Sequence, residues 1–518
     1  MIAMKKTAFL FLIVPALLLG VGCTKDLDTE PKVELTLDEL LAKDPDAIGG
    51  ILSRLYASFA LSGPDGSGSS DIDDDAGESP FLRGIVNLQD FTADGMKNRW
   101  GDDGLDQLTT TSDWDENNKF FRYLYNRIYY TIPQANNLLL ALDAVDLDNK
   151  DQIEAEVRFI RALAYYYLID CFGKGVLATE ENYGTTDPLP ELDRQGLFDF
   201  VESELLAIED MLPDTNGYGR ANKSVGRMLL AKLYLNAGVY TGSPSFAQAA
   251  TFIKKVIDQG NYSLDADFVS LFSGDNYLST GIIFPLIADA QISQSFGNTT
   301  YIVNGSLGTE TMTLGDYGAT EGWSGHRATK AWYGLFNGGD LANSPDERAA
   351  LFHTEGHNYE MTDYKQWADG YPSTKFRNTF YQSASSPTAF SSTDFPLFRL
   401  ADAYLIYAEC ALRGAAGTDM ATALTYVNDV RERSNAPLVS LSALTLDFLL
   451  DERARELNLE GHRRSDLIRF GKFTGNSYLW PWKGNALNGT GIPDTYRLFP
   501  IPLSALEANT NLTQNPGF

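Results

Sequence analysis

Apolar residues recur at three- and four-residue intervals through most of the chain. In DQIEAEVRFIRALAYYYLIDCFG (151–173), Ile153, Val157, Ile160, Ala164, Tyr167 and Cys171 fall on one stripe, which predicts an amphipathic helix. Gly173 and Gly175 stand where such a helix stops. Two later stretches share a longer pattern. VGRMLLAKLYLNAG (225–238) precedes FAQAATFIKKVIDQG (246–260), and FRLADAYLIYAECALRG (398–414) precedes MATALTYVNDVRERS (420–434). Each is a helix with Ala and Tyr on one face, a Gly-bearing turn, and a second helix with closely spaced alanines. Small residues there let paired helices approach, as in tetratricopeptide-type repeats, although the irregular spacing also fits two unrelated hairpins.

Between these blocks, residues 261–400 are rich in Gly, Ser, Thr, Tyr and Trp, as in GNTTYIVNGSLGTETMTLGDYG and ATEGWSGHRATKAWYG. This predicts loops and short strands carried on the helical frame, where functional groups concentrate. SGPDGSGSSDIDDDAGES (62–79) predicts an exposed loop rich in turn formers. The expected architecture is a mostly α single domain with tetratricopeptide-like helix pairs and a loop-rich ligand-binding face.

The first residues follow a different logic. Lys5 and Lys6 precede an apolar run, Thr7 to Leu19, and the small residues Gly20, Val21 and Gly22 lead to Cys23. These are the parts of an export signal, too short and wrongly flanked for a spanning helix. Cys23 after small residues resembles a bacterial lipobox, with Gly20 where Leu is usual. The expectation is a signal peptide over 1–22, lipidation at Cys23 and a mature domain over 23–518. Cys171 and Cys410 sit in apolar helical patterns, where a free thiol behaves as a small hydrophobe.

Charge narrows the partners. The chain carries −28 at pH 7, and loss of Lys5 and Lys6 makes it two units more negative. Such a surface repels nucleic acid and anionic lipid, and suits a neutral ligand. Catalytic chemistry has no visible handle. His353 and His357 in HTEGH could share a helix face, but Thr354 stands where a zinc protease needs Glu, and Gly356 weakens the helix. Asp71, Asp73 and Asp75 imitate a calcium loop, yet Ala76 and Leu82 replace its Gly and Glu. No G-x-S-x-G elbow or phosphate loop occurs. Glu452, Arg453, Arg455 and Glu456 at helical spacing predict a solvated or cross-braced face rather than an active site. No metal or cofactor is expected. By contrast, NLQDFTADGMKNRWGDDGLDQLT places Trp100 among Asn98, Arg99, Asp102 and Asp103 in a Gly-rich setting. An aromatic ring with planar polar groups at its edge suits a sugar, whose C–H faces stack and whose hydroxyls hydrogen-bond. A Trp plugging the core under a loop is the plainer alternative.

FPLFRLADAYLIYAECALR, ALTYVNDVRERSNAP, DERARELNLEGHRRSDLIRFGKF and YRLFPIPLSALEANTNLTQNPGF resemble the SusD/RagB family of Bacteroidetes surface lipoproteins. AEVRFIRALAYYYLIDCFGK, GRANKSVGRMLLAKLYLNAGVYTG and CTKDLDTEP follow the same order, and the likeness is greatest to the family's starch-binding members. The resemblance implies a non-catalytic, lipid-anchored protein of the outer-membrane surface. It would capture an oligo- or polysaccharide, a starch-like α-glucan first, and deliver it to a SusC-type TonB-dependent transporter. Asp26, Asp28 and Glu30 resemble the acidic stretch that sends such lipoproteins to the surface. Carried over by position, the site comprises Asp75, Arg83, Asn98, Trp100, Asp103, Phe296 and Trp323. Trp100 and Trp323 fall on stacking tryptophans, Asp103 on an Asn, Phe296 on a Tyr and Asn98 on a second aromatic, so one platform is changed. A binder of another glycan or a peptide, a transporter lid without its own sugar site, and a secreted glycan-degrading enzyme are the competing readings.

Overall fold

The periodic stretches form helices whose ends carry ordinary capping chemistry. A computed structural model describes residues 36–72, 75–143 and 145–518, so the signal over 1–22 and Cys23 lie outside the described residues. Helices α1 (Leu37–Lys43) and α2 (Ile48–Ala57) precede α3 (Phe81–Ile85), which a wider π-type turn (Val86–Phe91) continues. Strand β1 (Met96–Asn98) and helix α4 (Leu105–Thr110) follow. The frame begins with α5 (Lys119–Asp143), α6 (Lys150–Cys171), α7 (Arg194–Ile208), α8 (Lys223–Leu235) and α9 (Phe246–Gln259). The Asp193 and Asn222 side chains accept first-turn amides of α7 and α8, and Gly260 in the left-handed region ends α9.

The loop-rich insert holds β2 (Ile282–Leu286), α10 (Thr299–Ser306), β3 (His326–Ala328) and β4 (Phe395–Arg399). The frame then resumes with α11 (Leu400–Leu412), α12 (Met420–Glu432), α13 (Leu446–Leu457) and α14 (Arg463–Arg469). β2 pairs antiparallel with β4, placing Ile282 opposite Arg399 and closing the excursion between them. As a result α9 packs on α11, and the pairs α8–α9 and α11–α12 lie side by side. The two similar stretches are therefore stacked neighbours, as tetratricopeptide-like units are, and not unrelated hairpins.

The predicted stripe of α6 is buried throughout, but so are Glu156, Arg161 and Asp170, because α5 and α7 cover other faces of the helix. Gly173 (φ 73°) closes α6 by donating to the Leu168 carbonyl. Gly175 does something else: it pairs with Leu192, and a Cβ there would lie 2.4 Å from the Tyr129 hydroxyl. Cys171 and Cys410 are buried free thiols. A hydrophobic core extends from Leu41 to Ile501 and takes in all the frame helices.

The acidic and basic residues of α13 and α14 are cross-braced, not solvated. Glu452 and Glu456 are completely buried. Glu456 accepts from Arg348, Arg399 and Arg433 at 2.6–2.8 Å; Glu452 from Arg348, Arg431 and Arg455. Glu460 meets Lys375 and Arg399, while Arg453 joins Asp402 to Asp466. Burial opposes ionisation of Glu456 and Asp466, yet the arginines around them hold both carboxyls well below the usual range. Burial, with Lys232 beside it, pushes His462 down to about 3.

Both kinds of shift are depressions, so their stabilisation is present above the unfolded pKa and is lost as pH falls. Unfolding midpoints in urea should hold near neutrality and decline below about pH 6.5, as the unfolded chain protonates His462. They should fall more steeply below about pH 4.5, where carboxyls protonate. Glu456→Gln leaves three arginines short of a counter-charge, costing about 3–5 kcal/mol and flattening that acid limb. A midpoint constant from pH 7 to 3 would contradict this account.

Candidate functional site

A two-stranded pairing brings the candidate residues together. β1 and β3 run antiparallel with Asn98 opposite His326, and the Arg99 amide donates to the Gly325 carbonyl at 3.0 Å. The loop after β1 carries Trp100, and the loop before β3 carries Trp323, so residues far apart in sequence leave one sheet end side by side. The Trp100 indole N–H donates to the Trp323 carbonyl at 3.0 Å, and the rings lie 6.2 Å apart at 53°. Phe296, in the turn before α10, lies 6.3 Å from Trp323 and 4.9 Å from Phe390. Trp100, Trp323, Phe296 and Phe390 thus form a continuous arc of rings.

The arc is fixed from beneath. His326 is wholly buried, with ring centres 4.8 Å from Phe91, 5.2 Å from Trp100 and 4.6 Å from Tyr301. Burial, then the nearby charges of Arg83 and Arg327, hold its pKa well below the ordinary histidine value, so it acts as a neutral aromatic spacer. Arg83 is also buried. Its guanidinium lies 4.4 Å from the Tyr301 ring centre and 6.0 Å from Trp100, donates to the Gly77 carbonyl and approaches Asp102 at 3.9 Å. Asp75 is exposed, and its Oδ1 accepts the Gly77 and Glu78 amides, shaping the turn that presents Gly77 to Arg83.

The structure therefore brings Asp75, Arg83, Trp100, Phe296 and Trp323 into one neighbourhood, with exposed Asp103 in the same loop as Trp100. Asn98 is different and corrects the expectation of a ligand contact. It is completely buried on β1, and its Oδ1 accepts the Trp100 amide at 2.7 Å. It positions the platform and presents no surface to a ligand. Trp100 and Trp323 are both half-buried, so each packs on the core and leaves part of its ring open. Sequence reasoning missed Phe390 and Tyr301, which reach the other rings only through tertiary contacts. It also left Glu321 unnamed, which accepts from the Trp323 indole at 3.2 Å.

The other candidates resolve as structural. His353 and His357 stand in a turn with Gly356 in the left-handed region, and they hold the Thr311 carbonyl and hydroxyl respectively. Asp71 is committed to Arg54 and Arg127. Asp73 lies outside the described residues. No cluster of three or more metal-ligating side chains occurs among the described residues.

A stacked helical frame thus displays an aromatic arc with carboxylates at its rim. The chain belongs to the SusD family. It is 33% identical to the starch-binding protein SusD of Bacteroides thetaiotaomicron, over 96% of each chain. Residues 355–518 match the SusD family model, and residues 84–235 match one described as starch-binding associating with outer membrane. Solved structures share the fold: a SusD superfamily protein from Parabacteroides distasonis (TM-score 0.72, 22% identity, 92% and 99% of the chains). Another is surface glycan-binding protein A from Bacteroides thetaiotaomicron in complex with laminarihexaose (0.69, 19%, 91% and 99%).

Close approach makes one glycine decisive. A Cβ at Gly325 would lie 2.4 Å from the Trp100 ring. Gly325→Ala should therefore displace Trp100 while leaving the frame folded. The expected readout is a red-shifted tryptophan emission with unchanged far-ultraviolet circular dichroism; an unshifted spectrum would show that the ring does not depend on that gap.

Proposed function

We propose that this protein captures a neutral oligo- or polysaccharide at the cell surface, a starch-like α-glucan first, and delivers it to a SusC-type TonB-dependent transporter. SusD-family proteins bind carbohydrate and are not catalysts. The observation that carries the reading is the arc itself. Trp100, Trp323 and Phe296 expose rings in succession, each near a group that can bond a sugar hydroxyl: Asp102 and Asp103, Glu321, and Asp75. The rim is acidic, and the chain carries −28, which favours an uncharged ligand over a sulfated or uronic one. The starch assignment leans on the 33% identity to SusD. Likeness to the laminarihexaose complex, at 19%, supports the fold alone.

Surface display follows from the same reading. Lipid on Cys23 would anchor the domain over 23–518, and the description of the model matching 84–235 supports an outer-membrane setting. No helix among the described residues is long and apolar enough to cross a membrane.

Magnitudes set the affinity. Covering about 100 Å² of ring at roughly 25 cal/mol per Å² stabilises by about 2–3 kcal/mol per platform. Association and ordering offset much of the total, leaving a Kd in the millimolar range, about −4 kcal/mol. Calorimetry of residues 24–518 against maltohexaose, laminarihexaose, xylohexaose and mannohexaose tests the reading. Binding to maltohexaose should weaken roughly 30-fold or more in Trp100→Ala and Trp323→Ala. Binding only to another series would replace the glucan; binding untouched in both variants would remove the arc as the site. In cells, Cys23→Ala should move the protein out of the membrane fraction.

A further inference from the structure

Phe390 ends the arc at the base of a strap. The Asn378 side chain donates to the Phe390 carbonyl at 3.3 Å and to the Gly318 carbonyl at 3.1 Å, and Thr388 Oγ1 also donates to Phe390, so the strap 378–390 is closed at its root. Three residues beyond Asn378, a span of at most about 11 Å of chain, stands Tyr381. Its side chain is not part of the core: the residue is 51% exposed. Its setting is nonetheless rigid. The Tyr381 amide donates to Asp275 Oδ1 at 2.7 Å and the Gln382 amide to Oδ2 at 2.8 Å, and Asp275 is itself buried. The Asp267 carboxylate lies beside the Tyr381 hydroxyl and raises the phenol's pKa.

Two residues along from Asp275, in a tight turn (Asn276–Leu278), Tyr277 is 54% exposed. That turn is equally fixed: Asn276 donates to the Leu271 and Asp394 carbonyls, and the Gly274 amide donates to the Thr379 carbonyl, stitching the two loops together. Two half-exposed tyrosines therefore stand on one stitched pair of loops, with Asp267 at the edge. Flat rings, hydroxyls and a planar acceptor on a backbone already ordered are the chemistry of sugar stacking, and little conformational entropy is lost on contact.

We propose that Tyr277 and Tyr381 form a second sugar-stacking surface, which engages the same neutral glycan chain beyond the Phe390 end of the arc. This rests on the glycan-binding reading of the arc. The second contact becomes intramolecular once the arc is occupied, so it strengthens binding only for a ligand long enough to span both.

The test separates length from chemistry. Maltohexaose is titrated by calorimetry, and amylopectin binding is measured by affinity electrophoresis, for wild type, Trp100→Ala, Tyr277→Ala, Tyr381→Phe and the double variant Tyr277→Ala/Tyr381→Ala. The double variant should bind amylopectin about tenfold more weakly and maltohexaose unchanged. Tyr277→Ala should give part of that loss, and Tyr381→Phe, which keeps the ring, should give little. Thermal melts confirm folding, and Tyr277→Ala alone serves if the double variant unfolds. Amylopectin retardation unchanged in the tyrosine variants, with Trp100→Ala abolishing it, would overturn the second surface and leave the arc. Equal loss for maltohexaose and amylopectin in the tyrosine variants would also overturn it. Trp100→Ala without effect on either ligand would overturn both readings.

Discussion

The burial of ionised groups around α13 is the constraint on which the rest of the molecule depends. Charges taken out of water must find partners or forfeit several kcal/mol each, so the chain has few ways to fold around Glu452, Glu456 and Glu460. Their partners come from distant segments: Arg348 and Lys375 from the insert, Arg399 from β4, Arg431 and Arg433 from the α12 end. Such pairs add little net stability over a well-packed apolar core. What they do here is fix where the loop-rich insert sits on the helical frame.

From that fixed point the geometry passes to the surface through a short series of buried donors. Arg327 on β3 donates to the carbonyls of Gly325, Tyr364, Gln366 and Asp369, tying the strand to the loop that Lys375 follows. On the other strand, Asp94 is held by Arg463 of α14 and by Tyr478, while Thr329 bonds the Asp94 carbonyl. β1 and β3 are thus each anchored to the frame before they pair, and their shared end sets Trp100 against Trp323. Buried contacts hold the Trp100 ring, through its indole N–H on the Trp323 carbonyl and His326 beneath it, so stacking on it would cost little in side-chain freedom.

Perturbed ionisation in this molecule follows burial and charge pairing. Beneath the arc, burial holds His326 neutral, and the strongly depressed carboxyls Glu456 and Asp466 belong to the brace. Shifts at Glu456, Asp466 and His462 mark structural charge burial, which perturbs ionisation as strongly as catalysis does.

Local pattern was enough for the helical frame. Periodicity located α6, the α8–α9 and α11–α12 pairs and the loop-rich insert, because each reports local burial at a 3.6-residue repeat. The resemblance pointed to Trp100, Trp323 and Phe296, which the fold brings together. Tertiary structure alone decided the remainder. Asn98 reads as a loop amide but is buried by strand pairing, a contact made with residues over two hundred positions away. Gly175 reads as a helix stop but serves a close approach to Tyr129. Glu452 and Glu456 read as either a solvated or a cross-braced face, and only the fold shows the bracing, since their arginines lie up to about a hundred residues distant. Phe390 and Tyr301 join the site through space alone. Local pattern carries the information for elements that one segment can complete; partners drawn from separate segments become visible only when the chain has closed on itself.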